Sequence, residues 1–258
     1  MQVLAERGYL IPAFNSESVD YVQCAIKLAR SVKAWHPAAK VCLLTDQDHS
    51  NEIFDYVKLL PYGSSVNKQA NDWQVFSASP FRQTIKLEAD MVVASPIDHY
   101  WDILQKKDVV ISVGARDFYD NVTSCRHYRK IFDHNNLPDV YNAITYWRLS
   151  QTARQFFDYV RNIFENWNTY RMLLKFPDEH PTTDVVYAIA TLLMGVENVT
   201  LPVGFGPTIV HMKKYINPLR TDNWTRELIC EEVDNGLRVN TISQFGLFHY
   251  HIKEWAHV

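Results

Sequence analysis

The opening pattern of apolar runs restricts this chain to an α/β fold built on a parallel sheet. Residues 8–14 form an apolar run, and the polar residues 15–18 follow it as a turn. Residues 18–35 then place apolar side chains at the spacing of an amphipathic helix. Residues 40–45 form a second apolar run. A strand, a helix and a strand in close succession are typical of a βαβ unit, so we predict the start of a parallel sheet.

Alternating helical and strand patterns continue over much of the chain. We predict a short helix leading into a strand at 51–60, helical segments at 79–84, 97–105, 150–166 and 182–194, and strands at 85–93, 108–113, 141–147 and 199–203. Thr182 or Thr183 is the expected cap of the last helix. Residues 114–140 have no clear period, which is typical of a functional loop, and residues 204–258 are less regular. No repeat or linker is present, so we expect one α/β domain over 1–258, with a central mixed, mainly parallel sheet flanked by helices.

The composition favours a folded domain over a duplex-binding or membrane-spanning protein. Hydrophobic residues make up 47% of the chain, which suffices for a packed core. Proteins that bind duplexes usually carry a basic excess, so with a net charge of −3 any nucleic-acid site would be a local patch. No run of about 18 apolar residues predicts a membrane span, and Glu6 and Arg7 interrupt any apolar leader.

Cysteine usage favours a reducing environment. The four cysteines lack the CxxC spacing of zinc clusters, and Cys24 and Cys42 lie in apolar segments. We predict both as buried free thiols, which favours the cytoplasm as the location.

Two carboxylates interrupt the apolar strand predicted at 85–93. Glu88 and Asp90 are two residues apart, so a strand would project both side chains to one face. Two carboxylates on a buried strand cost free energy unless a positive charge neutralises them. Mn²⁺ or Mg²⁺ would do so, since these cations favour carboxylate oxygens together with substrate phosphates. A strand-end pair that meets solvent or an arginine is the alternative.

The segment around this pair resembles the donor site of glycogenin-like glycosyltransferases. In that family a helix with basic residues precedes a strand, an Asp-x-Asp motif and another apolar run. Residues 81–93 follow this order, with Glu88 in the first acidic position. The resemblance implies a GT-A type fold, a UDP-sugar or similar nucleotide-sugar donor, and a divalent metal bound by Asp90, with Glu88 at the metal or at the ribose of the donor. It also implies donor contacts from Arg82 and Lys86, although ion pairing of Lys86 with the acidic pair is the alternative.

A further segment of the chain resembles the part of the family's donor site that binds the nucleobase. Residues 9–15 resemble the strand and turn that cradle the base, and Tyr21 would flank it. The resemblance therefore implies donor contacts from Pro12, Ala13, Phe14 and Asn15.

Two further segments resemble the family's sugar-binding motifs. Residues 141–144 resemble an Asn-Ala-Gly strand that faces the acceptor and the donor sugar, without its glycine. Thr183 and Asp184 resemble the start of an Asp-Gln segment beside the transferred sugar, with Val185 in place of the Gln. The resemblance implies that Asn142 and Asp184 are catalytic. As alternatives, Asn142 is a strand-end turn residue and Asp184 stabilises a helix N-terminus.

The C-terminal residues 249–255 resemble the family's closing His…Lys-Pro-Trp motif, with a shorter spacing and a glutamate in place of the proline. In that family the histidine completes the metal site and the lysine binds the diphosphate. The resemblance thus implies that His249 is a metal ligand and Lys253 a donor contact. His211 is a rival metal ligand, and the nearby Lys213 is a second candidate for the diphosphate. A structural role for either histidine is the alternative.

Basic and aromatic side chains interleave within 114–140. They are Arg116, Arg126, His127, Arg129 and Lys130, with Phe118, Tyr119 and Tyr128 among them. Such a loop can contact phosphates and stack an extruded base, and it can equally be solvated surface. The chain looks closest to small sugar transferases of bacteriophages, some of which decorate hydroxymethylated bases in viral DNA. That resemblance implies a retaining transfer to 5-hydroxymethylcytosine through this loop, in the host cytoplasm.

Three other functions stay open at this point. One is transfer to a glycan or protein acceptor, and another is a non-catalytic module that binds a nucleotide sugar. The third is a metal-dependent nucleotidyltransferase, although no Gly-rich phosphate loop is evident.

Overall fold

Strands and helices alternate through the computed structural model, which describes residues 3–61, 68–123, 129–202, 204–233 and 236–257. The strands are β1 (Ala5–Pro12), β2 (Val41–Thr45), β3 (Tyr56–Leu59), β4 (Phe81–Leu87), β5 (Met91–Val93), β6 (Val109–Val113), β7 (Val140–Arg148), β8 (Ile209–His211), β9 (Cys230–Val233), β10 (Gly236–Val239), β11 (Ile242–Ser243) and β12 (Leu247–His249). The α-helices are α1 (Tyr21–Trp35), α2 (Val75–Ala78), α3 (His99–Leu104), α4 (Lys130–His134), α5 (Gln151–Glu165), α6 (Trp167–Leu173), α7 (Thr183–Met194) and α8 (Val196–Val199). Short 3₁₀ helices cover Gln69–Gln74, Trp224–Arg226 and Lys253–His257.

A six-stranded sheet with the order β3-β2-β1-β4-β7-β6 forms the centre. β1 pairs in parallel with β2 and with β4, and β2 pairs in parallel with β3. β7 runs antiparallel to both β4 and β6. The predicted N-terminal βαβ unit and the mixed, mainly parallel sheet are therefore confirmed.

Both faces of this sheet are covered by hydrophobic cores. In β1, Tyr9 and Ile11 pack into the core that contains α1, whereas Leu10 packs into the core that contains α5 and α7. This period of two is the one expected for a strand that is buried on both faces. α1 begins later than predicted, because the Asp20 carboxylate accepts a hydrogen bond from the Gln23 backbone N–H and caps the helix.

The carboxyl ends of β1 and β4 meet the start of β7 at one edge of the sheet. In β4, Lys86 pairs with Leu10 of β1 on one side and with Thr145 of β7 on the other. Just beyond β4, the Glu88 N–H donates to the Ala143 carbonyl at 3.1 Å. Side chains that follow these strand ends therefore face a common space, as is usual in α/β sheets.

The C-terminal part of the chain adds two smaller sheets. β12 lies between β5, to which it is antiparallel, and β8, to which it is parallel. This pairing places His249 beside Met91 on one strand and His211 on the other. β9, β10 and β11 form a separate antiparallel sheet. The C-terminal segment therefore lies next to the acidic pair of Glu88 and Asp90.

The prediction of one continuous strand at 85–93 is wrong. β4 ends at Leu87, a turn follows, and β5 belongs to a different sheet. The reason is tertiary pairing: β5 pairs with β12, and beyond that ladder the Tyr250 N–H donates to the Asp90 carbonyl at 3.2 Å. The turn places Glu88 and Asp90 at the sheet edge rather than within a ladder.

The helical turn predicted at 79–84 is also wrong. The short helix α2 ends before Ser79, whose backbone is extended with ψ of 134°. Pro80 follows it, and a residue that precedes proline is disfavoured in the helical region. The chain therefore leaves the helix at this point and enters β4.

Two other predicted elements differ in the structure. At 51–60 the Asn51 side chain accepts the Ile53 N–H, and this local turn replaces the predicted helix before β3. The strand predicted at 199–203 is absent from the described residues 199–202, because α8 extends to Val199 and the Thr200 hydroxyl donates to the Val196 carbonyl; residue 203 lies outside the described residues.

Several local predictions are confirmed. The Thr182 hydroxyl caps α7 by accepting the Val185 N–H. Cys24 and Cys42 are buried free thiols, whereas Cys125 lies outside the described residues. Within the described ranges, no helix combines the length and the apolar character needed to cross a lipid bilayer.

Candidate active site

A cleft of about 370 Å³ opens where β1, β4 and β7 meet, a size typical of small-molecule sites. The predicted site residues that line it are Pro12, Ala13, Phe14, Tyr21, Lys86, Glu88, Asp90, Asn142, Asp184, His211, Lys213, His249 and Lys253. Residues far apart in the sequence therefore share one cavity.

Two residues that the resemblance assigned to the donor lie elsewhere. Arg82 is near the start of β4, at the opposite end of the strand from the cleft, and its guanidinium lies 3.2 Å from the Glu6 carboxylate. The Asn15 side chain accepts the Val22 N–H at 3.0 Å, so it orders the start of α1. The predicted donor contacts of Arg82 and Asn15 are therefore replaced by these structural roles.

Three side chains at one end of the cleft can share a metal ion. Ligand atoms of Asp90, His249 and His251 all lie within 4.8 Å of one another. His249 Nε2 lies 3.0 Å from Asp90 Oδ2, and His249 Nδ1 lies 3.6 Å from Glu88 Oε2. That Nδ1 atom is buried and has no hydrogen-bond partner among the described residues. An aspartate with two imidazoles is a donor set suited to a divalent transition metal.

His251 was not among the ligands predicted from the sequence. Its spacing of two from His249 was a usable signal, because such a spacing can bring both rings to one side of an extended segment. In the structure His251 lies beyond β12 with a left-handed φ of 62°. A non-glycine residue in this region is uncommon, and such residues concentrate at functional sites.

Charges around Asp90 are closely paired. Lys253 Nζ lies 2.8 Å from Asp90 Oδ2 and also donates to the His251 carbonyl at 2.8 Å. Burial opposes ionisation of Asp90, but His249 and Lys253 outweigh it and hold the pKa of Asp90 well below its usual value. Burial likewise opposes charge on His249 and Lys253, and Asp90 raises the pKa of both. Asp90 is therefore ionised at neutral pH and available as a ligand.

His211 packs behind this cluster. Its ring stacks on that of His249, with centroids 4.3 Å apart and an angle of 6° between the planes. Burial, together with His249 and Lys213, holds the pKa of His211 well below its usual value. Burial, Lys253 and His249 lower the pKa of His251 to about 4. Both rings are therefore neutral at pH 7, the state in which imidazole binds metal, although His211 is not part of the three-residue cluster.

Glu88 lies beside His249 in the same cleft. Partial burial raises the pKa of Glu88, with Asp90 and Asp184 adding to the shift and His249 opposing it. A bound cation would lower this pKa again, because it stabilises the charged carboxylate.

A second group of polar residues in the cleft is built around Asp184, in the first turn of α7. Its two carboxylate oxygens accept hydrogen bonds from the Asn142 backbone N–H at 2.8 Å and from the Arg129 guanidinium at 2.5 Å. The Thr145 hydroxyl donates to the Asn142 side-chain oxygen at 2.8 Å and so orients that amide. The two predicted catalytic residues are thus in direct contact.

Lys86 lies on the floor of the cleft and pairs with a residue that the sequence did not suggest. Its ammonium is 2.9 Å from the Asp72 carboxylate, to which the Tyr187 hydroxyl also donates at 2.7 Å. Ion pairing of Lys86 with Glu88 and Asp90, the alternative weighed above, is therefore wrong. No sequence signal marked Asp72, because its segment carries no chemical motif.

Asp72→Asn is expected to lower the free energy of unfolding by about 2 kcal/mol, because a neutral amide pairs less well with the buried Lys86 ammonium. Urea denaturation measures the loss. The control is Asp158→Asn on the exposed face of α5, which should change little. Equal stability of the two variants would contradict the importance of this buried pair.

An aromatic pair stands at the β1 end of the cleft. The ring centroids of Phe14 and Tyr21 are 6.5 Å apart. The Lys68 ammonium lies 5.1 Å from the Phe14 ring centroid, and that of Lys253 lies 6.0 Å from the Tyr21 ring centroid. Aromatic rings beside cations suit a stacked base with an attached phosphate.

Two cations of the basic loop expected to contact DNA are engaged in other contacts. Arg116 donates to the Asp120 backbone carbonyl at 2.7 Å, and only 5% of Arg129 is exposed. Arg126, His127 and Tyr128 lie outside the described residues. A phosphate contact by Arg129 is therefore wrong, because its guanidinium is buried against carboxylates.

The same architecture occurs in one solved galactosyltransferase. Galactosyltransferase LgtC, in complex with donor and acceptor sugar analogues, matches with a TM-score of 0.52 and 12% identity over 94% of this chain and 86% of LgtC. Glycosyltransferase GlyE of Streptococcus pneumoniae TIGR4 matches 77% of this chain with a TM-score of 0.47 and 11% identity, and the chain spans 45% of its length. No protein-family model and no curated protein matches the sequence. The likeness to LgtC shows that this chain has the GT-A fold.

Proposed function

We propose that the chain is a metal-dependent glycosyltransferase that moves a sugar from a UDP-sugar to an acceptor hydroxyl. One observation carries the proposal: a single cleft holds both the Asp90, His249 and His251 cluster and Asp184 beside Asn142. Lys253 adds a positive charge 2.8 Å from Asp90. The GT-A fold supports the same function by analogy.

The residues present fit Mn²⁺ better than Mg²⁺. Mg²⁺ prefers oxygen ligands, whereas imidazole suits transition metals. The unpartnered, buried Nδ1 of His249, with Glu88 Oε2 3.6 Å away, fits a cation beside Asp90. When bound, Mn²⁺ would serve as a Lewis acid for the departing diphosphate.

The other residues of the cleft have separate roles in donor binding and in sugar transfer. Phe14 and Tyr21 stack the base, while Lys253 and Lys213 stabilise the charge that develops on the diphosphate. Asp184 accepts hydrogen bonds from the sugar, and the Asn142 amide accepts and donates them. Both residues also orient the acceptor hydroxyl. We also propose retention of the anomeric configuration, which rests on the family resemblance.

The acceptor is proposed to be a hydroxyl of 5-hydroxymethylcytosine in phage DNA or of a glycan or protein. The burial of Arg129 and the contact of Arg116 with Asp120 favour the second class, because they remove two cations from the expected phosphate contacts.

A panel of nucleotide sugars with Mn²⁺ or EDTA, with and without hydroxymethylated DNA, tests the proposal by mass spectrometry. We expect cleavage of a UDP-sugar that requires the metal, and NMR of the product gives its anomeric configuration. A chain that binds nucleotide sugars but cleaves none of them would instead be a non-catalytic module.

His251→Ala is expected to weaken Mn²⁺ binding about 100-fold, since even residues that only support a metal ligand contribute about 10- to 100-fold. Isothermal titration with Mn²⁺ measures the change. His134→Ala on α4 is the matched control, because that histidine is exposed. Unchanged affinity would remove His251 from the ligand set.

A further inference from the structure

Arg129 occupies a position that a surface role does not explain. Its guanidinium lies between two carboxylates, 2.6 Å from Asp139 and 2.5 Å from Asp184, and it donates to the Val140 carbonyl at 2.8 Å. Burying a guanidinium costs free energy unless such partners satisfy it. Two of the three partners only hold Arg129 in place, and the third lines the cleft.

Two aromatic rings fix the direction of this guanidinium. Its central carbon lies 3.9 Å from the ring centroid of Tyr141 and 4.6 Å from that of Phe132. A planar cation held by rings and carboxylates has little freedom to turn. The Arg129 donors therefore point at Asp184 in one orientation.

Asp184 shares the cleft with three other carboxylates. Asp72 and Asp90 are paired with Lys86 and Lys253, so these two lysines are already engaged by other carboxylates. Arg129 supplies the opposite charge and occupies one oxygen, while the Asn142 N–H occupies the other. Each carboxylate oxygen has a second acceptor position, so both oxygens can still accept a hydrogen bond from a sugar hydroxyl. The side chain of Asp184 keeps 25% of its surface exposed, which leaves it accessible to a ligand.

We propose that Arg129 is a positioning residue that fixes the Asp184 carboxylate against the transferred sugar. It thereby controls turnover without contacting the nucleotide. This inference rests on the proposed glycosyltransferase function.

Arg129→Met and Arg129→Lys test the inference, with Arg154→Met on the exposed face of α5 as control. We expect kcat for nucleotide-sugar cleavage to fall about 100-fold in Arg129→Met, since a misplaced positioning group can cost that much. In Arg129→Lys it should fall about 10-fold, because lysine restores the charge but not the planar fork. The Kd for UDP with Mn²⁺ should stay within about twofold, because the described polar contacts of Arg129 are to Asp139, Val140 and Asp184 and not to Asp90, His249 or His251.

A double variant separates positioning from general stability. If Arg129 acts through Asp184, Arg129→Met should cost less than about threefold in an Asp184→Asn background, because residues that act as a unit are not additive. Full additional loss there, or parallel loss of UDP affinity and kcat, overturns the inference. Should Arg129→Met not fold, Arg129→Lys carries the same comparison.

The two proposals fail in different ways. A wild-type chain that cleaves no nucleotide sugar overturns both the proposed function and this inference. An active wild type with an equally active Arg129→Met overturns the inference alone.

Discussion

Asp90→Asn is expected to lower the rate of metal-dependent nucleotide-sugar cleavage about 10³-fold, which corresponds to several kcal/mol of lost electrostatic stabilisation. Asp90 is the one carboxylate in the three-residue cluster, with His249 Nε2 at 3.0 Å and Lys253 Nζ at 2.8 Å. A neutral amide in its place leaves Glu88, 3.6 Å from His249, as the remaining carboxylate beside the imidazoles and Lys253. The cluster would then bind a cation much more weakly.

The measurement combines turnover with metal titration. Mn²⁺ affinity should fall together with kcat, while circular dichroism should show a folded chain. Asp158→Asn on the exposed face of α5 serves as control for the loss of one carboxylate. Full turnover by Asp90→Asn would contradict the metal site and with it the proposed function.

Local periodicity explains how much of the fold could be predicted. α1, β2, α5 and α7 each carry their own pattern, and the structure places them close to the predicted bounds. The break after Leu87 could not be predicted, because both sides of it are apolar. Only the pairing of β5 with β12, from the other end of the chain, separates the two strands.

The candidate site, like the fold, could be predicted from the sequence only in part. Asp90, His249 and Asp184 belong to short motifs, so the sequence marked them, and the structure brings all three to one cleft. Asp72 and Arg129 carry no motif of their own. Their roles depend on Lys86 and Asp184, residues distant in sequence whose proximity is decided by the tertiary fold.

Asp184→Asn is expected to lower kcat about 10³-fold, the effect of losing one well-placed electrostatic group in an active site. Asparagine keeps the shape of the side chain but not the charge that pairs with Arg129 at 2.5 Å. The Thr182 cap of α7 does not depend on this carboxylate, so the helix should stay folded. Binding of UDP with Mn²⁺ should change by less than about twofold, because Asp184 is not one of the three clustered ligands Asp90, His249 and His251.

These expectations separate a catalytic role of Asp184 from its alternative role as a helix-terminal acid. A helix-terminal acid contributes about 0.3–1 kcal/mol of stability and nothing specific to turnover. Steady-state kinetics with the UDP-sugar, titration with UDP and urea denaturation measure the three quantities on the same variant. Lower stability with unchanged kcat would assign Asp184 a structural role, in the helix and in the pair with Arg129, and the sugar would then have to be held by other residues of the cleft.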